Sequence, residues 1–444
     1  MRVLIIGGVA TGMSAASKLR REDKNAEVVV FEMGWEVSYG ACGLPFYISG
    51  ENRHVDLLRI RSVAEFKDQG IDVRTRHRVE EVNSTEKTIM VKELETGREY
   101  RDRYDKLVIA TGASPLKPPL EGADLENAFT LKTIHDAEEI RRVLMREEVR
   151  DVVIIGTGFI GMEMVEACVR LGKKVRAIEL QDQIMPAYEY EIATELAEAM
   201  QEHGVAIHTG EQVLGLQGTK HVTSVSTENG VYPADFVLFA VGVRPNTDFI
   251  AGDEFEKMKN GALVVNSRME TSVADIYAGG DCSTVYHRIL GKQVYLPLGT
   301  NANKQGRIIG ENLVGKKKEF PGALGTSVLR VLDLQAGKTG ISEREARTHN
   351  IPHKTVVVQA NNHAPYYPNP QPIKVKLVYC PDTGKVLGAS MVGREGVALR
   401  INTCAAMITA GMTVEEAGNL DLGYAPPFAQ VWDVIHVAAN LAKR

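Results

Sequence analysis

The stretch VLIIGGVATG (residues 3–12) decides how the chain begins to fold. Its four apolar residues predict a buried strand, and the glycine-rich turn predicts a tight passage into a helix. A second apolar strand comes next and ends in Glu32. This order is typical of a dinucleotide-binding βαβ unit, whose helix N-terminus binds a pyrophosphate and whose acid binds a ribose. Val9 replaces the middle glycine of the usual pattern, so a merely structural turn is the alternative.

The same design occurs a second time. The strand Asp151–Ile155 leads into GTGFIG (residues 156–161), and the next strand leads to Glu179. An acid at this position accepts a hydrogen bond from the adenosine 2′-hydroxyl and repels a 2′-phosphate. No arginine follows Glu179 through Met185, so NADH is favoured while NADPH stays possible. A structural βαβ unit without a ligand is again the alternative.

Further segments complete the predicted fold. Two similar strand-and-loop segments, 104–112 and 235–245, come after the two turns, and the strand in 276–281 runs into a Gly-Gly turn. From about residue 320 the pattern changes to alternating, β-branched segments, which predict an antiparallel sheet with helices. The predicted fold class is α/β, with two dinucleotide-binding, Rossmann-like domains and a C-terminal α+β domain.

Composition excludes several classes of partner. The net charge of −5 gives no general reason to expect nucleic acid or an anionic membrane as a partner. No apolar run approaches the ~20 residues of a membrane span, and the apolar N-terminal run is too short for a signal peptide. Five cysteines form an odd, sparse set, which favours a reducing compartment and hence the cytoplasm. No metal site is expected.

One of these cysteines has an unusual setting. Cys42 lies in SYGACGLP (residues 38–45), and positions 43–50 offer no second cysteine for a dithiol. Two nucleotide sites and a lone thiol suggest that electrons pass from a nicotinamide through a flavin to one sulfur. The alternative, a buried core thiol, is disfavoured by the flanking Gly40 and Gly43 and by Pro45.

The order of motifs resembles the flavoprotein pyridine nucleotide-disulfide oxidoreductases from end to end. Cys42, the ATG turn (110–112), Asp281 and the strings HAPYYP (363–368) and GYAPPF (423–428) resemble the coenzyme A-disulfide reductase branch, which includes NADH oxidases and persulfide reductases. The resemblance implies a homodimer with an FAD-binding domain at 1–115 and 243–320, an NAD(P)H-binding domain at 116–242 and a dimerisation domain at 321–444.

The resemblance also assigns the two cofactor sites. FAD would contact Gly7, Gly8, Ala10, Thr11, Gly12, Glu32, Met33, Ala110, Thr111, Gly112, Gly280, Asp281, Gly299, Thr300 and Ala302. The nicotinamide coenzyme would contact Gly156, Gly158, Phe159, Ile160, Gly161, Glu163, Glu179 and Gly242. Phe159 would gate the nicotinamide pocket and Glu163 would face the flavin–nicotinamide junction, although helix packing and a surface acid are the alternatives.

Catalysis would centre on Cys42, whose thiolate attacks a disulfide. The resemblance supplies proton donors from the partner subunit, namely Tyr424 and one of Tyr366 and Tyr367, with the interval favouring Tyr366. Ser14, Lys18 and Arg21 share one face of the first helix, and a cationic stripe there would bind the phosphates of coenzyme A. The resemblance adds Ser38 and Asn303. A solvated helix face is the alternative, and a small polysulfide would not need the stripe.

These observations predict an FAD-dependent reductase that passes electrons from NADH to Cys42 and on to coenzyme A disulfide or a coenzyme A persulfide or polysulfide. Two departures from the family are Ala10, where peroxide- and oxygen-reducing members often have His, and Ala41, where coenzyme A-disulfide reductases often have Asn. The alternatives are an NADH oxidase that uses a Cys42 sulfenic acid and a flavin-bound redox sensor without significant turnover.

Overall fold

The computed structural model describes residues 1–443. The chain divides into two compact units. The first unit contains residues 1–115, 132–135 and 243–323, and the second contains residues 116–131, 136–242 and the chain from 324 on. The predicted boundaries of the FAD-binding domain, 1–115 and 243–320, stay a prediction. The second unit contains both other predicted domains, and the division between those two stays a prediction.

Residues 1–115 form eight strands and three helices. They are β1 (Arg2–Ile6), α1 (Ala10–Glu22), β2 (Glu27–Glu32), α2 (Leu44–Ser49), α3 (Val63–Asp68), β3 (Ile71–Thr75), β4 (His77–Asn83), β5 (Thr88–Glu93), β6 (Glu99–Arg103), β7 (Lys106–Ile109) and β8 (Ala113–Pro115). Two short 3-10 turns cover Ala41–Gly43 and Val55–Leu58. The apolar run of β1 is fully buried at Val3, Leu4 and Ile5, as the sequence predicts for a central parallel strand.

Residues 116–242 contain the second βαβ unit. Their elements are β9 (Ala128–Phe129), α4 (Ile134–Leu144), β10 (Asp151–Ile155), α5 (Phe159–Arg170), β11 (Lys174–Ile178), α6 (Tyr190–Glu202), β12 (Ala206–His208), β13 (Val213–Gly218), β14 (Val222–Thr227), β15 (Gly230–Pro233) and β16 (Phe236–Phe239).

The remaining elements form two groups. Residues 243–323 form β17 (Val243–Pro245), β18 (Ile276–Ala278), β19 (Val285–His287), β20 (Lys292–Val294) and α7 (Gly299–Asn312). The chain beyond forms β21 (Ser327–Val331), β22 (Leu334–Gly340), α8 (Glu343–Thr348), β23 (Lys354–Asn361), β24 (Pro372–Tyr379), β25 (Val386–Gly393), α9 (Val397–Ala410), α10 (Val414–Ala417) and α11 (Val434–Ala442).

The first unit is built on a five-stranded parallel sheet of order β18-β7-β1-β2-β3. Because the strands are parallel, their carboxyl ends meet at one edge, and the loops that leave this edge form the usual binding crevice of such sheets. Helices α1 and α7 pack closely on each other, since Gly306 and Gly310 of α7 leave no room for a side chain against α1.

The second unit contains a matching parallel sheet of order β12-β11-β10-β16-β9. It also contains an antiparallel sheet of order β21-β22-β25-β24-β23, against which α9 and α11 pack. The predicted fold class, two dinucleotide-binding domains plus a C-terminal α+β region, is confirmed. No helix among residues 1–443 has the length and apolar character needed to cross a membrane.

Candidate active site

The first glycine-rich turn is a close-packed cradle at the carboxyl end of β1. The N–H of Gly7 donates to Phe31 O at 2.8 Å, which fixes the turn beside β2. A Cβ on Gly12 would lie 1.9 Å from Gly7 O, so only glycine lets α1 begin this close to the turn. The exposed N-terminus of such a helix suits a pyrophosphate. The predicted contacts Gly7, Gly8 and Gly12 therefore belong to one structural unit.

The acid Glu32 is held by the same turn. Its carboxylate accepts hydrogen bonds from Gly8 N–H and Gly34 N–H, both at 2.7 Å. Burial raises the pKa of Glu32, and the backbone donors of Gly34, Gly8 and Met33 partly offset this. The acid is thus oriented at the edge of the sheet, where it would meet a ribose.

Other predicted FAD contacts converge on that edge. Ala110 N–H donates to Ile6 O at 2.8 Å and Gly279 N–H donates to Ile109 O at 3.1 Å, which joins the segments 110–112 and 279–281 to the turn. Thr11 directs its hydroxyl to Ala302 O at 3.0 Å, so this side chain joins α1 to the first turn of α7. This contact places the N-terminus of α7 beside the first glycine-rich turn. Gly299 and Thr300, at that N-terminus, are exposed.

A cation that the sequence analysis did not identify lies next to Asp281. Residues 132–135 belong to the first unit although their neighbours on both sides belong to the second. In this short segment, Lys132 Nζ lies 3.6 Å from Asp281 Oδ2. The Lys132 backbone also accepts a hydrogen bond from the Tyr39 hydroxyl at 3.4 Å.

The second glycine-rich turn repeats the geometry of the first. Gly156 N–H donates to Ile178 O at 2.8 Å, and a Cβ on Gly161 would lie 2.0 Å from Gly156 O. Glu179 is buried and accepts hydrogen bonds from Thr157 N–H at 2.9 Å, from the Thr157 hydroxyl at 2.7 Å and from Gln181 N–H at 3.0 Å. No atom lies within 4 Å of a Cβ built on Gly158, so the turn is open where a pyrophosphate would approach.

The remaining predicted coenzyme contacts surround this turn within the second unit. Ile160 is exposed at the start of α5, and Gly242 lies just beyond β16. The ring of Phe159 lies edge-on to Tyr188, with ring centroids 6.1 Å apart. Tyr188 is buried and was not predicted from the sequence. Its ring packs against Phe159, the side chain that would gate the nicotinamide pocket.

Glu163 lies one helical turn after Phe159. Burial and, to a lesser extent, the nearby Glu166 carboxylate raise its pKa to about 7. Glu166 itself is bound by Arg170 at 2.8 Å and by Arg330 at 2.7 Å. The raised pKa distinguishes Glu163 from Glu166, which is paired with two guanidinium groups.

Cys42 is exposed in the short 3-10 turn that precedes α2. The loop that carries it begins at the first glycine-rich turn, because Ser38 N–H donates to Gly8 O at 2.9 Å. Cys168, Cys282 and Cys404 are buried, and burial raises the pKa of each thiol. Exposure excludes the interpretation of Cys42 as a core thiol and distinguishes it from these three cysteines.

A cavity of about 630 Å³ lies between α1, α7 and the loop that leads to Cys42. All five residues predicted to bind substrate line it, namely Ser14, Lys18, Arg21, Ser38 and Asn303. Ser14 donates to Asn303 Oδ1 at 3.0 Å, which joins the two helices across the cavity. Arg61 and Arg307 also line it, together with the rings of Tyr39 and Phe66.

The positive charges of the cavity are not equivalent. Lys18 forms ion pairs with Glu22 at 2.5 Å and with Glu311 at 2.7 Å, so its charge is already balanced. Arg21, Arg61 and Arg307 form no salt bridge within residues 1–443, and the guanidinium of Arg61 lies 5.6 Å from the centre of the Phe66 ring. The arginines rather than Lys18 are the groups available for an anion.

The two predicted tyrosines lie together in the C-terminal region. The hydroxyls of Tyr366 and Tyr424 are hydrogen-bonded to each other, and this bond raises the pKa of Tyr366. Tyr366 is 71% exposed, whereas the Tyr367 ring packs edge-on against His363. The arrangement supports the choice of Tyr366 over Tyr367. Several large apolar side chains of this region are also exposed: Leu399, Phe428, Val431 and Trp432.

Comparison with known proteins identifies the family. Residues 1–306 match the pyridine nucleotide-disulphide oxidoreductase family, and residues 326–434 match the dimerisation domain of pyridine nucleotide-disulphide oxidoreductases. The chain belongs to the pyridine nucleotide-disulphide oxidoreductase family. The predicted enzyme class and the predicted cofactors, FAD and a nicotinamide coenzyme, are thereby confirmed.

The activities named for several relatives match those of the predicted branch. The NAD(P)H sulfur oxidoreductase (CoA-dependent) of Pyrococcus furiosus is 39% identical over 443 residues, covering 100% of this chain and 99% of the relative. An NADH oxidase of Methanocaldococcus jannaschii is 33% identical, covering 99% and 98%. The solved NAD-dependent persulfide reductase from A. fulgidus has a TM-score of 0.97 and 38% identity, covering 100% of this chain and 83% of that chain.

The residues present fit both cofactors. Two glycine cradles, each with a held acid and a helix N-terminus, provide two dinucleotide sites, and the open turn at Gly158 admits a pyrophosphate. Sequence reasoning missed Arg307, which lies four residues after Asn303 on α7 and was detectable from helical spacing. It also missed Arg61, Lys132 and Tyr188, which lie outside regular motifs.

Proposed function

We propose that the protein is an NADH-dependent flavoprotein reductase that acts on coenzyme A disulfide or on a coenzyme A persulfide or polysulfide through Cys42. The observation that carries this proposal is the cavity beside the Cys42 loop, with its three arginines and its aromatic rings. Coenzyme A combines phosphates with an adenine, which are the groups that guanidinium and aromatic side chains bind. The names of the relatives agree with this substrate class.

The chemistry rests on one exposed sulfur. The Cys42 thiolate attacks one sulfur of the substrate disulfide, forms a mixed disulfide and expels the other sulfur as a thiolate. Bound FAD supplies the two electrons, received from NADH, that reduce this mixed disulfide. The hydroxyl pair of Tyr366 and Tyr424 supplies O–H groups that can donate a hydrogen bond or a proton to the departing thiolate.

The tyrosines act in the partner subunit's site, and the active form is a homodimer with composite sites. The match to a dimerisation domain supports a dimer. The exposed side chains of Leu399, Phe428 and Trp432 give the C-terminal region an apolar surface suited to a second copy. The sparse cysteine set still favours the cytoplasm, which stays a prediction.

The substrate is tested by removing a cavity arginine. Arg307→Met should raise KM for coenzyme A disulfide roughly tenfold, the effect of one lost charge-assisted contact of about 1.5–3 kcal/mol. It should leave turnover of pantetheine disulfide, which lacks the nucleotide, unchanged. Lys304→Met is the matched control, because Lys304 is exposed on the same helix and does not line the cavity. Equal losses on both substrates would contradict the assignment of the cavity to the nucleotide.

The composite site is tested by mixing subunits. Cys42→Ser chains and Tyr366→Phe/Tyr424→Phe chains should each be nearly inactive as homodimers. A heterodimer of the two would contain one intact site and should recover activity. A verified heterodimer without recovery would refute shared sites. Oxygen consumption without added disulfide would instead support the NADH oxidase alternative, and a background rate on every acceptor would support the redox sensor.

A further inference from the structure

Residues 185–189, named here the strap, join the second glycine-rich turn to the C-terminal region within the second unit. The strap begins at the turn, where Met185 N–H donates to Thr157 O at 3.1 Å. The same Thr157 donates two hydrogen bonds to Glu179, the predicted ribose acid. The strap therefore contacts the segment on which the coenzyme site is built.

The C-terminal region binds four consecutive residues of the strap. Arg344 donates to Pro186 O, and Lys338 Nζ donates to Ala187 O at 2.9 Å. The Tyr188 hydroxyl lies 3.5 Å from Ser327 Oγ, and the Glu189 carboxylate accepts from Glu343 N–H at 2.7 Å.

Lys376 of β24 is the centre of this attachment. It is 3% exposed, and its Nζ lies 3.2 Å from Glu189, 3.0 Å from Glu191 and 2.7 Å from Glu343. Arg347 also pairs with Glu343, but within residues 1–443 only Lys376 contacts all three carboxylates, so its removal would leave Glu189 and Glu191 without a cation to offset their repulsion. The strap, through Glu189, would then be pushed away from α8 and the C-terminal sheet.

The strap also contacts the proposed gate, because the Tyr188 ring lies against Phe159. A displaced strap would loosen both the turn at Thr157 and the support behind Phe159. We propose that the strap positions the nicotinamide coenzyme and that Lys376 is the positioning residue that fastens it to the C-terminal sheet. The inference rests on the proposed use of the second glycine-rich turn for NADH. It makes coenzyme affinity depend on the region that would form the dimer.

The test compares Lys376→Met with two matched variants of the FAD-loaded enzyme. Lys376→Met should raise Kd and KM for NADH roughly tenfold to a hundredfold, the scale of one lost charge-assisted hydrogen bond to the coenzyme. The flavin content, the limiting rate of flavin reduction at saturating NADH and KM for the disulfide should stay close to the parent's. Lys376→Arg should restore NADH affinity. Lys374→Met is the control, since Lys374 lies on the same strand but pairs with Glu195, outside the strap.

Hydrogen exchange of the strap amides, measured without coenzyme, separates this inference from the proposed function. Lys376→Met should speed exchange at Met185 and at residues 187–189 whether or not the parent binds NADH. A parent that bound no NADH would refute only the proposed function. Unchanged NADH affinity in folded Lys376→Met would overturn the inference. If Lys376→Met does not fold, Arg344→Ala decides, because Arg344 is exposed. It should weaken NADH binding in the same direction, and parental affinity would overturn the inference.

Discussion

The two glycine-rich turns of this chain are nearly identical in geometry but lead into different loops. Six residues after each acid, a residue with left-handed backbone donates to the second residue of its turn. Ser38 (φ 48°) donates to Gly8 O at 2.9 Å, and Met185 (φ 45°) donates to Thr157 O at 3.1 Å. From that shared point the first loop leads to the exposed Cys42, whereas the second becomes the strap held by the C-terminal region.

The comparison shows that one βαβ design serves two purposes through the loop after its acid. The sheet edge, the cradle and the oriented acid are common, and they supply only a dinucleotide site. The first loop adds an exposed thiol, Cys42, which is the proposed nucleophile. The second loop adds no reactive group and instead fixes the site to a neighbouring sheet. The proposed roles of the two sites therefore differ through the loops that follow the repeated motif, and not through the motif itself.

The largest expected effect removes the group that the first loop adds. Cys42→Ser should retain FAD and its reduction by NADH, and should lose disulfide reduction roughly 10⁴-fold or more, as when a catalytic nucleophile is removed. Stopped-flow flavin spectra and steady-state assays measure the two steps separately. Cys380→Ser is the control, since Cys380 is half-buried in a turn of the C-terminal region. Disulfide turnover near the parent's rate in Cys42→Ser would contradict the role of this loop.

Breaking one cradle at a time tests whether the two turns serve different cofactors. Gly12→Ala places a Cβ 1.9 Å from Gly7 O and should yield protein that retains little FAD. Gly161→Ala places a Cβ 2.0 Å from Gly156 O and should yield yellow protein that dithionite bleaches and NADH does not. Absorbance spectra of the purified proteins provide the measurement. Loss of FAD in Gly161→Ala alone would reverse the assignment.

Glu179, the acid of the second turn, allows a further test of how the two turns differ. Glu179→Ala removes a carboxylate that would accept a hydrogen bond from the adenosine 2′-hydroxyl, so the preference for NADH over NADPH should narrow roughly tenfold or more. The measurement is kcat/KM for both coenzymes. Asp182→Ala is the control, because Asp182 is exposed three residues later. An unchanged preference would mean that the acid serves only to hold Thr157.

The smallest effect concerns Glu163, whose pKa is raised from 4.5 to about 7 in the folded protein. A carboxyl with a raised folded pKa stabilises the fold at low pH, and this contribution is lost as pH rises from about 4.5 to 7. The loss amounts to at most about 3 kcal/mol. The stability of Glu163→Gln relative to the parent should therefore increase between pH 5 and pH 8. Identical dependence, measured by denaturant titration at pH 5 and 8, would show that Glu163 is not desolvated.

The sequence was sufficient to predict the two repeated βαβ units, but it was insufficient to predict the ion pairs that surround them. Strand burial, glycine spacing and the two acids are predictable from local patterns, and the structure confirms the two βαβ units. The five predicted substrate residues share one cavity, but the charge of Lys18 is balanced by Glu22 on α1 and by Glu311 on α7. The pair with Glu311, which is far away in the sequence, cannot be inferred from spacing on α1. The Lys376 cluster is likewise invisible locally, because its members come from three separate elements.

In the proposed reaction, Cys42 exchanges with coenzyme A disulfide and NADH reverses the resulting modification. Mass spectrometry of the purified enzyme after incubation with coenzyme A disulfide tests it directly. We expect one coenzyme A on the Cys42 peptide, removed by NADH and absent from Cys42→Ser. An unmodified Cys42, or an adduct that NADH does not release, would contradict it.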